Sequence, residues 1–242
     1  MSFEACARIV ERGDRDRFQA AMSVPLSARQ VLMPIYAMNV EVARAPWVTK
    51  EDMIAEMRLQ WWRDVLEEIA KGRPVRRHEV TTPLSQALTP DAARLADRAI
   101  AARRWDIYRD PFDDWDALRR YLEDTTGALM SAASLSLGRS MDLQDKGFGV
   151  GLARYLLAIP ALISNGRRPL PTVERDDLMV FIDQGLQALR PASRQPECRE
   201  AFLARNVLRR AARAPQDVLD RLAEPAPHLR SALLLKAALL GA

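Results

Sequence analysis

Pro34-Ile35-Tyr36-Ala37-Met38-Asn39-Val40-Glu41-Val42-Ala43-Arg44 is an almost wholly apolar run with a single interior acid, Glu41. Its periodicity predicts a helix over 27–45, with Pro25 before it and Ser27 as the N-cap. Glu41 sits one turn from Tyr36–Asn39. Working outward, the same periodicity predicts helices over 3–12, 14–22, 50–71, 90–109, 113–138, 144–163, 173–189, 196–212 and 228–240. Thr49 followed by Asp52 opens the helix over 50–71, and Lys71-Gly72 with Pro74 beyond closes it. Residues 72–90, with Pro74, Pro83 and Pro90, read as loop. Pro111 separates two helices, and Gly166 to Pro171 is an irregular turn. No strand alternation, internal repeat or long linker is present, so the chain is expected to form a single all-α domain over 1–242.

Three further stretches carry information. Gly151-Leu152-Ala153-Arg154-Tyr155-Leu156-Leu157-Ala158-Ile159-Pro160-Ala161-Leu162 is followed by Gly166-Arg167 and Leu170-Pro171. Met57-Arg58-Leu59-Gln60-Trp61-Trp62-Arg63-Asp64 sets two tryptophans between arginines. Cys6 precedes Asp14-Arg15-Asp16-Arg17-Phe18, with Pro25 and Arg29 downstream.

With the opening run, these stretches resemble the squalene/phytoene synthase family of head-to-head prenyl synthases, roughly over residues 3–180. In that family a Tyr-Ala-Phe-Cys-Arg type run leads into two aspartates four residues apart. A second, glycine-led helix carries Gln, Asn, Arg and Asp ahead of a Gly-Arg…Leu-Pro phrase. The acids hold Mg²⁺ against a diphosphate, because a hard divalent cation takes oxygen ligands. Here Tyr36 and Ala37 match, while the first aspartate pair falls on Ala43 or Arg44 and on Trp47. In the second signature the glycine and the closing phrase match, and the Gln, Asn, Arg and Asp positions hold Tyr155, Ala158, Ala161 and Leu162. Arg17 also departs from the small hydroxyl residues that synthases place before the phenylalanine.

The phrases Asn39–Arg44 and Met57–Asp64 are similar to a sub-branch that includes respiratory complex I assembly factors and lacks the aspartate-rich motifs. The resemblance implies the all-α helical barrel of isoprenoid (terpenoid) synthases, with a central cavity, no catalytic residue and no metal site. Tyr36, Asn39, Glu41 and Arg44 are the cavity or ligand-binding candidates on the first signature. Arg58, Trp61 and Trp62 are those on the following helix, with Arg58 expected to pair with Glu41 or Asp64 and the tryptophans to pack on two different neighbours. Tyr121 and Gly127 belong to the small-residue segment 121–138, which suits close helix packing or an apolar ligand. Arg154, Tyr155 and Arg167 complete the set.

Composition is ordinary for a globular protein, with 48% apolar and 28% charged residues. Cys6 and Cys198 have neither disulfide-framework nor metal spacing, which favours a reducing compartment. Glu4, Arg8, Glu11 and Arg12 are wrong for a secretory signal. The apolar run Phe148–Ile163, interrupted by Arg154 and Pro160, falls short of the roughly 20 residues that cross a bilayer and reads as a buried helix. Net charge is +4, much of it arginine after Arg190. Arg194, Arg199, Arg205, Arg209, Arg210 and Arg213 among apolar residues make either a solvated face or one that touches an anionic membrane or acidic partner. No nucleic-acid-binding module is present.

The acidic clusters Asp64/Glu67/Glu68, Asp110–Asp116, Glu123/Asp124 and Glu174/Asp176/Asp177 read as solvated or capping groups. His78 and His228, near prolines, are expected to be exposed.

The leading expectation is a catalytically degenerate family member that binds protein partners, as in complex I assembly, in the cytoplasm and peripherally at the inner face of the membrane. It requires no cofactor. An active Mg²⁺-dependent prenyltransferase is the alternative, and an isoprenoid or lipid carrier with an apolar or prenyl ligand is the second.

Overall fold

Asp14 divides the first two helices: its carboxylate accepts the Arg17 amide at 2.9 Å, which starts α2 (Arg15–Met22) directly after α1 (Phe3–Gly13). The computed structural model describes residues 3–49, 51–189, 192–220, 222 and 224–242. Among them no strand occurs. The remaining helices are α3 (Leu26–Arg44), α4 (Asp52–Ala70), α5 (Thr81–Ala87), α6 (Pro90–Ala102), α7 (Trp105–Tyr108), α8 (Trp115–Leu122) and α9 (Ala128–Ser136). They continue with α10 (Gln144–Ser164), α11 (Arg175–Ala188), α12 (Ala204–Arg213) and α13 (Pro227–Leu240).

The contacts group these elements into two compact units. One comprises Met1–Tyr108 with Ala128–Asp142, the other Arg109–Gly127 with Leu143–Ala242. In the first, α3 packs against α1, α5 and α9, while α6 packs between α4 and α9. Leu32, Met33, Ile35, Tyr36 and Met38 of α3 are almost wholly buried with Leu59 and Leu66 of α4 and Ile100 of α6. Each side chain of that size contributes about 1.5–3 kcal/mol by leaving water. The alanines Ala92, Ala93, Ala96 and Ala99 give α6 a flat face that lets its neighbours approach closely.

In the second unit α10 packs against α11, α12 and a single π-helical turn over Glu123–Gly127. Thr125 Oγ1 donates to Tyr121 O at 2.7 Å inside this turn, a side-chain bond that competes with the regular ladder.

The helix ends correct the sequence reading at several points. Ser27 lies inside the first turn of α3, whose N-cap position is Pro25 and has no side-chain cap. Thr49 Oγ1 accepts the Glu51 amide at 3.1 Å, so it closes a small turn ahead of α4, which starts at Asp52. The expected start at Lys50 lies outside the described residues, as does Arg190. Gly72 does end α4: its φ of 63°, with Arg73 N donating to Glu68 O at 2.8 Å, forms the left-handed cap.

Within the expected loop 72–90, α5 forms; at seven residues it is too short to show a clear period. The expected helix 90–109 breaks at Arg103–Arg104, the one over 113–138 contains the π turn, and the one over 196–212 begins with 3₁₀ turns over Pro196–Ala201. At 21 residues α10 is long and apolar enough to cross a membrane, contrary to the length argument from Phe148–Ile163, although more than half of it is buried here.

Cys6 is fully buried in the first unit. Burial, and secondarily the charge of Glu79, push its thiol up to about 12 from 9.0. A raised thiol pKa favours the protonated, folded form, so this contribution is complete below pH 9.0 and is lost as pH rises through about 12. Stability should therefore fall over that window, and Cys6→Ala should flatten the fall in urea titrations at stepped pH. Cys198, raised in the same direction by burial, adds a slope that the variant retains.

Candidate functional site

The first-signature residues lie on α3 but not on one accessible wall. Tyr36 is wholly buried, with the Arg17 guanidinium 5.4 Å from its ring centre, and Asn39 is buried too. These two are core residues, and their expected place lining a cavity is not what the packing gives them. Glu41 is half-buried and Arg44 largely exposed; Arg44 Nη1 lies 3.5 Å from Glu41 Oε1, one turn along the helix. The helix thus neutralises its only interior acid with its own cation. Trp47 follows in a 3₁₀ turn over Ala45–Trp47 and is exposed.

On α4, Arg58 is exposed, and its expected partners are engaged elsewhere: Glu41 by Arg44, and Asp64 by Gln60 at 2.7 Å and Arg76 at 3.8 Å. The arginine that does cross to another helix is Arg63. Its Nε and Nη2 reach the two oxygens of Asp97 on α6 at 2.8 and 3.0 Å, and that bond raises the guanidinium pKa. A polar groove of about 480 Å³ runs past this pair.

Trp61 and Trp62 pack edge-to-face on each other at 4.9 Å, Trp62 within the core of the first unit and Trp61 partly buried against it. His78 is half-buried, not exposed, and lies edge-on to both at 5.4 and 5.7 Å. Arg76 covers the Trp61 ring at 5.5 Å and donates to Glu68, whose carboxyl is held below its usual range by that bond. The cluster is a closed aromatic and ionic patch. His228 is exposed, as expected.

In the second unit Tyr121, Tyr155 and Phe112 form a buried aromatic trio with ring centres 5.4–6.3 Å apart. Tyr155 Oη donates to Pro169 O at 2.7 Å, so it fastens the Gly166–Pro171 phrase back onto α10. Arg154 Nη2 stands 3.4 Å from the fully buried Glu200 carboxylate. Arg167 is buried after the left-handed Gly166 and closes α10 by donating its amide to Leu162 O at 3.0 Å.

Gly127 ends the π turn directly against α10. A Cβ on Gly147 would meet Gly127 Cα and stand 2.5 Å from Gly127 N, and one on Gly151 would stand 2.9 Å from Thr126 Oγ1. These small residues are used for close backbone approach.

The acidic clusters have partners or caps. Lys71 and Arg73 flank Glu67, Asp114 Oδ1 caps α8 through the Ala117 amide, and Asp176 and Asp177 occupy the first turn of α11. Among the described residues no three His, Cys, Asp or Glu side chains stand close enough to share a metal ion. The positions that the resemblance matches to the family's acids hold Ala43 or Arg44, Trp47 and Leu162, whose side chains present no anionic oxygen. This donor set does not fit Mg²⁺.

Sequence reading missed the buried charges. Lys146 is buried and donates to Ala242 O at 2.9 Å, its ammonium pKa lowered by desolvation. Arg199, expected with the solvated or surface-binding arginines, is buried between Glu197 and Glu200 in sequence, and desolvation lowers its pKa. Position in an Arg-rich run gave no signal of this. The local alternation Glu197-Cys198-Arg199-Glu200 was the available hint.

A family model of squalene/phytoene synthases matches residues 10–226 of the chain. Among solved structures, the fold is similar to a dehydrosqualene synthase crystallised with a ligand: TM-score 0.71, 14% identity, covering 98% of this chain and 94% of that one. It is also similar to the squalene synthase HpnC from Alicyclobacillus acidocaldarius: TM-score 0.63, 17% identity, covering 97% and 92%. No curated protein sequence matches the chain. The all-α fold is of the isoprenoid synthase type.

Proposed function

We propose that this chain, which belongs to the squalene/phytoene synthase family, acts by binding rather than by condensing prenyl diphosphates, and that the process it serves is assembly of respiratory complex I. The observation that carries the first half is the state of the first-signature helix. Its one interior acid is tied to Arg44 at 3.5 Å, and the neighbouring positions are a methyl and an indole. Ionising an allylic diphosphate requires cationic charge held against the leaving group by metal or protein groups as the bond breaks. Carboxylates that would anchor Mg²⁺ for that task have no counterpart at these positions, and the small-residue segment serves packing instead of opening room for a prenyl tail. The complex I half is supported by the phrases Asn39–Arg44 and Met57–Asp64 and their resemblance to the assembly-factor sub-branch.

Incubation of the purified protein with farnesyl or geranylgeranyl diphosphate and Mg²⁺ is expected to yield no squalene, dehydrosqualene or phytoene above the uncatalysed background by mass spectrometry. Any such product formed in multiple turnovers overturns the binding reading. The second half is tested in cells. A deletion strain should lose assembled complex I on native gels, and affinity capture should recover its subunits. Normal complex I with no subunit recovered overturns the assembly role.

A further inference from the structure

Helices α12 and α13 contain no aspartate or glutamate, yet they carry five arginines and a lysine between them. Arg205 donates to Leu189 O, and Arg230 Nη1 lies 2.7 Å from Glu224. Arg209 and Lys236, both exposed, have no acidic partner among the described residues. With Arg205 they line a cavity of about 270 Å³ whose walls include Phe202, Leu233, Leu240 and Ala242, the last accepting a bond from Lys146, and no acidic side chain. Asn206 also lines it, and its Oδ1 is buried without a hydrogen-bond donor among the described residues.

The outer side of α13 is equally unusual. Leu235 and Leu239, four residues apart and so on one face, are each 61% exposed, and the helix buries only Arg230 and Ala237. Lys236 stands next to that face on the helical wheel, at the edge of the cavity side. An apolar face bordered by exposed cations, without an acidic side-chain partner among the described residues, is the pattern of a helix lying in a lipid interface.

We infer that α12 and α13 form a docking face for a membrane containing anionic phospholipid. The headgroup phosphate enters the cavity among Arg205, Arg209 and Lys236, and Leu235 and Leu239 lie among the acyl chains. The cavity is smaller than the roughly 300–1,000 Å³ of drug-sized sites, so it takes a headgroup and leaves the chains outside. The two leucines decide between a lipid and a free anion. A soluble phosphate would engage the cations and leave the leucines in water, whereas a bilayer uses both. The unsatisfied acceptor on Asn206 fits a hydroxyl-bearing head such as phosphoglycerol. The inference stands apart from the question of catalysis and from complex I.

Sedimentation of the full chain with vesicles tests it. Binding is expected to phosphatidylcholine vesicles containing phosphatidylglycerol and not to phosphatidylcholine alone, and it should weaken with added salt. Replacing both cations, Arg209→Gln with Lys236→Gln, should weaken it roughly 25-fold, about fivefold per charge. Leu235→Ser with Leu239→Ser should weaken it at least about tenfold. All four side chains are exposed, so both double variants should keep the wild-type unfolding temperature. Equal binding to neutral and anionic vesicles overturns the proposal. So does wild-type sedimentation of the leucine variant, which would make the cavity a site for soluble anions only.

Discussion

Gly147→Val should lower the stability of the protein by about 3 kcal/mol, read as a shift of the urea midpoint at unchanged slope. The obstacle to a side chain here is backbone: a Cβ on Gly147 would stand 2.5 Å from Gly127 N and 3.1 Å from Thr126 C, besides meeting Gly127 Cα. A flexible side chain would yield to such an intrusion, but the π turn is fixed by its own hydrogen bonds, Thr125 to Tyr121 among them. Either α10 moves away or the turn unwinds, and both give up packing of the fully buried Phe148. Gly138→Ala is the control. That residue has a φ of 73° but nothing within 4 Å of its would-be Cβ, so only the left-handed conformation is penalised, by about 1 kcal/mol. Equal effects at the two sites would mean that close approach at Gly147 is not what the helix pair depends on.

Arg17→Met should cost about 2–3 kcal/mol in the same measurement. Arg17 is 4% exposed, with its guanidinium 3.1 Å from Asp14 Oδ2 and over the Tyr36 ring. Methionine fills much of the same volume, so the loss is electrostatic. Breaking a buried pair from one side costs about 3–5 kcal/mol, reduced here because Asp14 retains some access to water. Asp14 would keep its cap on α2, since that bond comes from a backbone amide. A cycle with Asp14→Asn should therefore show coupling between the two side chains on top of a separate capping contribution. Additive effects would mean that Arg17 acts by packing alone.

The helices were legible wherever a long apolar period ran between clear stops. α3 and α10 came within a residue or so of their expected bounds, and Gly72 ended α4 as read. Caps were less legible, because Ser27 and Thr49 have the right chemistry but the chain turns one or two residues away from where they would serve. The break at Gly127 could not be read from periodicity: a π turn adds one residue to the ladder without changing which residue types are apolar. At the candidate site, Glu41 was expected to pair with Arg58 of the next helix, whereas it pairs with Arg44 one turn along its own helix. The depth of Tyr36 and Asn39 depended on α1, α5 and α9 packing over α3, which no local pattern encodes. The Trp61–Trp62–His78 cluster was missed for the same reason, since His78 returns from a proline-rich loop 16 positions beyond Trp62.

Neither compact unit is a continuous stretch of chain, because the stretch 109–127 and the stretch 128–142 are exchanged between them in sequence order. During synthesis the amino-terminal unit therefore cannot close until α9 has left the ribosome, by which time α8 and the π turn have already emerged without the α10 surface they pack on. No single proteolytic cut or truncation yields either unit free of a segment of the other. A nascent chain stalled between residues 109 and 142 would expose unpaired apolar helix faces, and that interval is where a chaperone would be most needed.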